Sequence, residues 1–250
     1  MSLRGAASPP RAPSTRSGLG VLALLGVTAA CAAVAPTPAA AGAVPAAQPL
    51  VTLRDASVAR IAPDSGAPRV KTVAALVPLT RLRTVLPVLA MERDTRGRAW
   101  LKVRLPGRPN GTTGWVMAAG TARSATEWHL TVDRAARTLT VHRSGLIVRT
   151  FRVIVGARTT PTPSGDFYVE EALSLDPAAA GGPYALATSA RSEVLQEFNG
   201  GPGQIALHGT NHLFDPMGSA TSHGCVRLST RAITWLAGRI GRGVPLRIEG

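Results

Sequence analysis

The chain has 250 residues, of which 45% are hydrophobic, 17% charged and 4% aromatic, with 26 Gly and 20 Pro. It is too apolar for a disordered chain and too rich in Pro and Gly for a long helical bundle, which leaves one or two small globular domains. Lys plus Arg outnumber Asp plus Glu 28 to 14, a formal charge of +14 that favours anionic partners without choosing among nucleic acid, lipid head groups and wall polymers.

Arg4, Arg11 and Arg16 precede an uncharged apolar run from Leu19 to Val34, and the small residues Ala39, Ala40, Ala41 and Ala43 follow it. This order reads as a secretory signal over residues 1–43 and places the mature protein outside the cytoplasm, in the cell envelope. The run is 16 residues, short for a spanning helix, with an uncleaved anchor as the alternative. Thr28-Ala29-Ala30-Cys31 also resembles a lipoprotein cleavage box with Thr in place of the usual Leu, so lipidation at Cys31 is a further alternative. Whichever holds, Cys225 is left as an unpaired thiol, and exported proteins usually pair or eliminate thiols. A buried, inert cysteine is the plain alternative to a reactive one.

An Ala/Pro-rich stretch from Pro36 to Pro49 has the composition of a tether, and residues 44–75 read as linker and start of an N-terminal module. Short strands and turns then occupy 76–121. Val85 to Met91 is one strand, Asp94-Thr95-Arg96-Gly97 a turn, and Ala99 to Leu105 a half-buried strand in which Leu101, Val103 and Leu105 alternate with Lys102 and Arg104. Pro106-Gly107-Arg108-Pro109-Asn110-Gly111 is a turn cluster, and Gly114-Trp115-Val116 opens another strand. Through Trp100, the turn cluster and the Gly114-Trp115-Val116 ending, this segment resembles a small bacterial SH3-like β-barrel.

Residues 127–250 read as a second β-rich unit. Leu130 and Val132 lead to a turn at Asp133 to Ala136, Leu139 and Val141 return, and Phe151, Val153 and Val155 alternate before Gly156. Ser229 is an N-cap for a helix that puts Ile233, Leu236 and Ile240 on one face and ends at Gly241, after which Val244, Leu246 and Ile248 form a closing strand. The expected class is mainly β with few short helices.

Ile205 to Leu228 is the segment with chemical content: an apolar approach, His208-Gly209-Thr210-Asn211, a loop with Asp215-Pro216-Met217-Gly218, then Ser222-His223-Gly224-Cys225-Val226-Arg227. A thiol nucleophile needs a base or ion-pair partner, close backbone approach to a carbonyl, and donors for the oxyanion. His208 supplies a base, Gly224 permits approach beside Cys225, and the His223-Gly224-Cys225 turn supplies backbone N–H groups. Contact between His208 and Cys225 requires the 17-position interval to fold back.

With 14 residues between His208 and His223, followed by the S-H-G-C-x-R pattern, this segment resembles the signature of the YkuD-type L,D-transpeptidase catalytic domain. Thr162-Pro163-Ser164-Gly165-Asp166-Phe167 is similar to the family's T-P-x-G-x-F segment, and the likeness spans about Glu127 to Ile248. The resemblance implies a YkuD-like β-sandwich with Cys225 as nucleophile and His208 as general base, its second ring nitrogen held by a backbone carbonyl near Gly209. It further implies that His223, Gly224 and Ser222 shape an oxyanion and substrate pocket, and that Arg227 supports the loop or binds an anionic part of the substrate. Asn211 binds substrate or stabilises a turn. The implied activity is cross-linking of peptidoglycan stem peptides between third residues through a thioester, with carbapenems as covalent inhibitors and no metal or other cofactor. With water as acceptor the same residues would make an L,D-carboxypeptidase. A wall-binding protein with a spent catalytic fold is the rival from another class.

Residue types alone also admit a mixed nitrogen and sulfur zinc site, since His208 and His212 lie four apart and His223 lies two from Cys225. The Gly, Asn and Asp-Pro around residues 208–216 argue against a helix that would present both histidines together. His129 and His142 fall on expected strands, where a structural role is the default. Without the signal region, 25 basic residues face 14 acidic ones. They are scattered rather than interleaved with aromatics, and export argues against nucleic acid, so anionic wall polymers are the expected electrostatic partner.

Overall fold

The computed structural model describes residues 44–250 other than 199 and 212, so the expected signal region, Cys31 and His212 lie outside the described residues. The N-terminal half carries β1 (Gln48–Leu53), β2 (Ser57–Arg60), β3 (Arg69–Val73), β4 (Val85–Arg93), β5 (Ala99–Arg104), β6 (Thr113–Met117) and β7 (Thr121–Thr126). The C-terminal half carries β8 (Trp128–Asp133), β9 (Thr138–Arg143), β10 (Leu146–Arg152), β11 (Val155–Gly156), β12 (Gly165–Ser174) and β13 (Tyr184–Arg191). After these come β14 (Gln204–His208), β15 (Ala220–Ser222), β16 (Val226–Arg227), α1 (Thr230–Ala237) and β17 (Pro245–Glu249). The fold is mainly β, as the sequence pattern requires.

The first seven strands form one sheet in the order β3-β2-β6-β5-β4-β1-β7. The module therefore begins at Gln48 and takes in much of the stretch read as linker. β1 lies between β4 and β7, with Val51 and Leu53 in the module's core and Leu50 against Gly243 of the C-terminal half. Buried on both faces, it loses the alternation that marks a half-buried strand. At the turn before β5, Asp94 Oδ1 accepts from the N–H groups of Arg96 and Arg98, each at 2.9 Å, which fixes the reversal where the sequence places it.

The C-terminal half carries an eight-stranded sheet in the order β10-β9-β8-β17-β12-β13-β14-β16, with parallel pairings of β17 to β8 and of β14 to β16, and a separate parallel pair of β11 with β15. Strand side chains alternate between faces. Leu130, Val132, Leu139, Val141, Ile205, Leu207, Leu246 and Ile248 join one core cluster with Ala232, Ile233 and Leu236 of α1. Each such side chain contributes about 1.5–3 kcal/mol relative to exposure. From the other face Tyr168 of β12 joins the N-terminal module's core.

Ser229 caps α1, its hydroxyl accepting from Ala232 N–H at 3.3 Å. The helix stops at Ala237 rather than reaching Gly241, because Gly238 caps it and the N–H groups of Arg239 and Ile240 both turn onto the Leu236 carbonyl. Ile240 is nonetheless buried in the same core. The expected alternation through Phe151, Val153 and Val155 also breaks: β10 ends at Arg152, and Val153, Ile154 and Val155 are all buried.

Candidate active site

Two short parallel strands bring the sequence's two reactive side chains together. Leu207 pairs with Val226 and His208 with Arg227. With Ile205, Leu207 and Val226 turned into the core, alternation puts Gln204, Ala206, His208, Cys225 and Arg227 on the opposite face. Cys225 lies beside Ala206, whose N–H donates to Sγ at 3.4 Å, and the Gln204 carbonyl is 3.9 Å from Sγ. His208 and Cys225 line one cleft of about 50 Å³ with Gln204, His223, Arg227 and the wall residues Ser192, Leu195 and Phe198. A larger cavity of about 360 Å³ lies against His129 and His142 and includes neither reactive residue.

The His208 ring is oriented by backbone. Nδ1 lies 2.8 Å from the Gly209 carbonyl, which only accepts, so in the neutral ring Nδ1 carries the proton and Nε2 the lone pair. Gly181 and Gly209 allow this arrangement. A Cβ on Gly181, whose φ is +83°, would sit 2.8 Å from His208 Nδ1, and one on Gly209 would sit 2.0 Å from the Gly182 carbonyl oxygen. Burial holds the His208 imidazole below its ordinary value, opposed by the Gly209 backbone and reinforced by the Arg227 charge. Burial pushes the Cys225 thiol up, while the Ala206 N–H and Arg227 pull it down. A raised thiol and a lowered imidazole both favour the uncharged forms of Cys225 and His208 over a thiolate–imidazolium pair.

The turn that presents Cys225 is held from inside. Ser222 is 1% exposed, its hydroxyl donating to the Cys225 carbonyl at 2.6 Å and accepting from Gly224 N–H at 3.2 Å. Ser222 therefore closes the turn rather than facing substrate, and the Gly224 N–H is occupied. Thr162, also 1% exposed, donates from Oγ1 to the Gly224 carbonyl at 2.8 Å and accepts from Gly156 N–H at 2.9 Å. Thr160 Oγ1 and Ala157 N–H both donate to the Ser222 carbonyl, at 3.1 and 2.9 Å.

His223 is exposed on the rim and stacks on Phe198 with ring centroids 5.3 Å apart. Arg227 pairs through Nη1 with Asp215, while its buried Nε has no partner among the described residues. It thus supports the loop that carries Asp215. Asn211 is committed to structure: its side-chain amide donates to the Pro177 and Ala179 carbonyls, and its own carbonyl accepts from Gly181 N–H at 2.8 Å. It ties down the loop that carries Gly181 against His208 rather than offering its amide to substrate. Among the described residues no group of three or more His, Cys, Asp or Glu side chains comes together to hold a metal ion.

Residues 127–248 match the family model of the YkuD L,D-transpeptidase catalytic domain. They form such a domain. Over 122 residues the chain is 28% identical to the YkuD protein of Bacillus subtilis, covering 49% of this chain and 66% of that protein. A Bacillus licheniformis YkuD protein is 27% identical over 121 residues, with 65% of its length covered, so the match spans slightly less than two thirds of these relatives. Among solved structures the chain is similar to L,D-transpeptidase 3 from Mycobacterium tuberculosis, in complex with a faropenem-derived adduct, at 14% identity. That alignment covers 80% of this chain and 95% of the other, with a TM-score of 0.43.

Several residues of the YkuD domain's site escape a reading of the sequence alone. Thr162 lay within the noted Thr162-Pro163-Ser164-Gly165 segment, which looks like a hairpin turn until its partner is known. Asp215 was visible only as part of an Asp-Pro turn. Gln204 had no signal at all, yet it lines the cleft, and its side chain donates to buried Glu170 and to the Thr188 carbonyl, both at 2.8 Å.

Proposed function

We propose that the chain is an exported cysteine L,D-transpeptidase that cross-links peptidoglycan stem peptides. The observation that supports this most directly is His208 Nδ1 bound to the Gly209 carbonyl at 2.8 Å, which leaves Nε2 for the cleft that Cys225 also lines.

His208 Nε2 takes the thiol proton as Cys225 Sγ attacks the carbonyl carbon between the L-centre of the diamino acid and the terminal D-alanine. The carbonyl oxygen becomes an oxyanion facing the His223 and Cys225 N–H groups. Collapse breaks the C–N bond, the imidazolium returns its proton to the leaving D-alanine amine, and a thioester remains on Cys225. The side-chain amine of a second stem then attacks the thioester, gives its proton to His208 and expels the thiolate, forming a 3-3 cross-link, and the imidazolium hands that proton back to the sulfur to restore the starting pair. The Arg227 charge stabilises the thiolate as it forms during attack and again as it is expelled from the thioester. With the signal removed, the basic surface suits association with anionic wall polymers, and the N-terminal module, SH3-like in its sequence pattern, belongs to the exported part.

The test is incubation of the purified protein with a defined tetrapeptide stem, with and without an acceptor amine, followed by mass spectrometry. Cross-linked product and released D-alanine are expected from wild type and neither from Cys225→Ala. Release of D-alanine without any cross-link would make the protein an L,D-carboxypeptidase instead, and no release would overturn the assignment. A carbapenem should add one covalent adduct to wild type and none to Cys225→Ala.

A further inference from the structure

The Pro106–Gly111 turn of the N-terminal module reaches the wall of the catalytic cleft. Arg108 donates to three backbone carbonyls of the 192–203 loop: Nη1 to Pro202 at 2.9 Å, and Nη2 to Ser192 at 2.7 Å and Leu195 at 3.0 Å. Two residues on, Asn110 brackets the backbone of Arg191, its amide donating to the Arg191 carbonyl at 2.8 Å and its Oδ1 accepting from Arg191 N–H at 2.9 Å. Gly107 N–H adds a bond to the Ser189 carbonyl at 3.3 Å. The end of β13 and the loop that follows are thus held by one turn of the other module.

That loop supplies Ser192, Leu195 and Phe198 to the cleft shared by Cys225 and His208. It has little apolar burial of its own to fix it, since Val194 is 54% exposed and Phe198 42%. A segment with few buried apolar contacts opens easily unless polar contacts hold it. Three carbonyl oxygens converging on one site carry like partial charges, and a guanidinium is the side chain whose fork of donors satisfies several of them at once. The Arg108 contacts end on the wall, while Cys225, His208 and Arg227 are placed by the β14 and β16 pairing.

We propose that Arg108 is a positioning residue for acyl transfer at Cys225: by pinning the 192–203 loop it sets the wall against which the stem peptide lies. The N-terminal module is on this account part of the working cleft rather than only a wall-binding appendage. The inference rests on the transpeptidase reading for its activity arm and on geometry alone for its structural arm.

Arg108→Ala and Arg108→Lys in the full chain test it. Amide hydrogen exchange across 192–203 should speed up about tenfold or more in Arg108→Ala while β14 stays protected. The kcat/KM on the tetrapeptide stem should fall about 10- to 100-fold, mostly through KM, because a misplaced wall spoils the bound geometry. Arg108→Lys, which keeps the charge and one donor head, should recover part of both. The pH midpoint for alkylation of Cys225 by iodoacetamide should stay where it is in wild type. Unchanged exchange in 192–203 would overturn the pinning, and unchanged kcat/KM would overturn the positioning role. A shifted alkylation midpoint would show that Arg108 acts on the thiol itself and would also overturn it. If wild type neither turns over the stem nor is acylated, the transpeptidase reading fails, and the exchange result still decides whether Arg108 holds the wall. Should Arg108→Ala not fold, Arg108→Lys carries the same readings.

Discussion

Thr162 and Gly224 are 62 positions apart in the chain, yet the Thr162 hydroxyl donates to the Gly224 carbonyl at 2.8 Å with both groups buried. The same oxygen accepts from Gly156 N–H, so one side chain joins the strand before the Thr-Pro-Ser-Gly segment to the turn that carries Cys225. Backbone geometry beside Cys225 depends on a hydroxyl that is itself buried.

Replacing Thr162 by Val keeps the shape and removes the hydroxyl, stranding the Gly156 N–H and the Gly224 carbonyl. The expected cost is about 1–3 kcal/mol of unfolding free energy, measured by urea denaturation, with Thr162→Ser recovering most of it. Stem turnover should fall in Thr162→Val. Equal stability of Thr162→Val and wild type would show that the hydroxyl carries no weight.

Gly181→Ala tests the orientation of the base. The new Cβ would lie 2.8 Å from His208 Nδ1, closer than side-chain atoms tolerate, so the ring must leave the Gly209 carbonyl. Gly97→Ala is the control, with a similar φ of +75° and nothing within 4 Å of the added carbon. Both variants should lose about 1–2 kcal/mol of stability from the left-handed backbone. Only Gly181→Ala should lose about 10- to 100-fold in kcat/KM. Matched activities of the two variants would rule out steric control of the ring.

How far the sequence carries depends on whether the deciding contact is local. His208 and the Ser222 to Arg227 segment are legible because a thiol, a base and a tight Gly turn stand close in the chain. Their meeting is not local: it comes from the parallel pairing of β14 with β16. The family resemblance makes Ser222 a pocket residue, and the sequence leaves Asn211 open between binding substrate and stabilising a turn. Folding commits Ser222 to its own turn rather than the pocket and decides Asn211 for the structural alternative, on the carbonyls of Pro177 and Ala179. β1 was hidden for the opposite reason. Its Leu50 and Val51 are both buried, one against each half of the protein, so no alternation survives for a pattern to find.

The pH dependence of turnover should report the His208 environment. A ring held below its ordinary value of 6.5 by burial and by Arg227 stays neutral, and competent as a base, to lower pH than a free histidine. The acid limb of kcat/KM against pH should therefore have its midpoint below 6.5, with activity present above it and lost as pH falls through it. Arg227→Gln removes a lowering charge, so its limb should move up toward the ordinary value even as its rate drops. A limb above 6.5 in wild type would mean that the imidazole is stabilised in its charged form.

His129 and His142 face each other across β8 and β9, are 7% and 8% exposed, and leave both ring nitrogens of His129 and Nδ1 of His142 without a partner among the described residues. Burial lowers both rings, and for His129 the neighbouring His142 adds to the shift. Arg104, Asp166, Arg247 and Glu249 line the same cavity, with Asp166 bound to both arginines. The folded state therefore holds fewer protons than the unfolded chain once pH drops below about 6.5. Stability is fully present above that value and declines as pH falls toward the folded-state values, by at most about 1.4 kcal/mol per pH unit for each ring. His208 contributes in the same direction. Urea unfolding from pH 8 to pH 5 should show this decline, and the double variant His129→Leu with His142→Leu should flatten it, since among the described residues two of the three lowered histidine rings are then gone. A wild-type curve as flat as the variant's would mean that the buried pair titrates as it does in the unfolded chain.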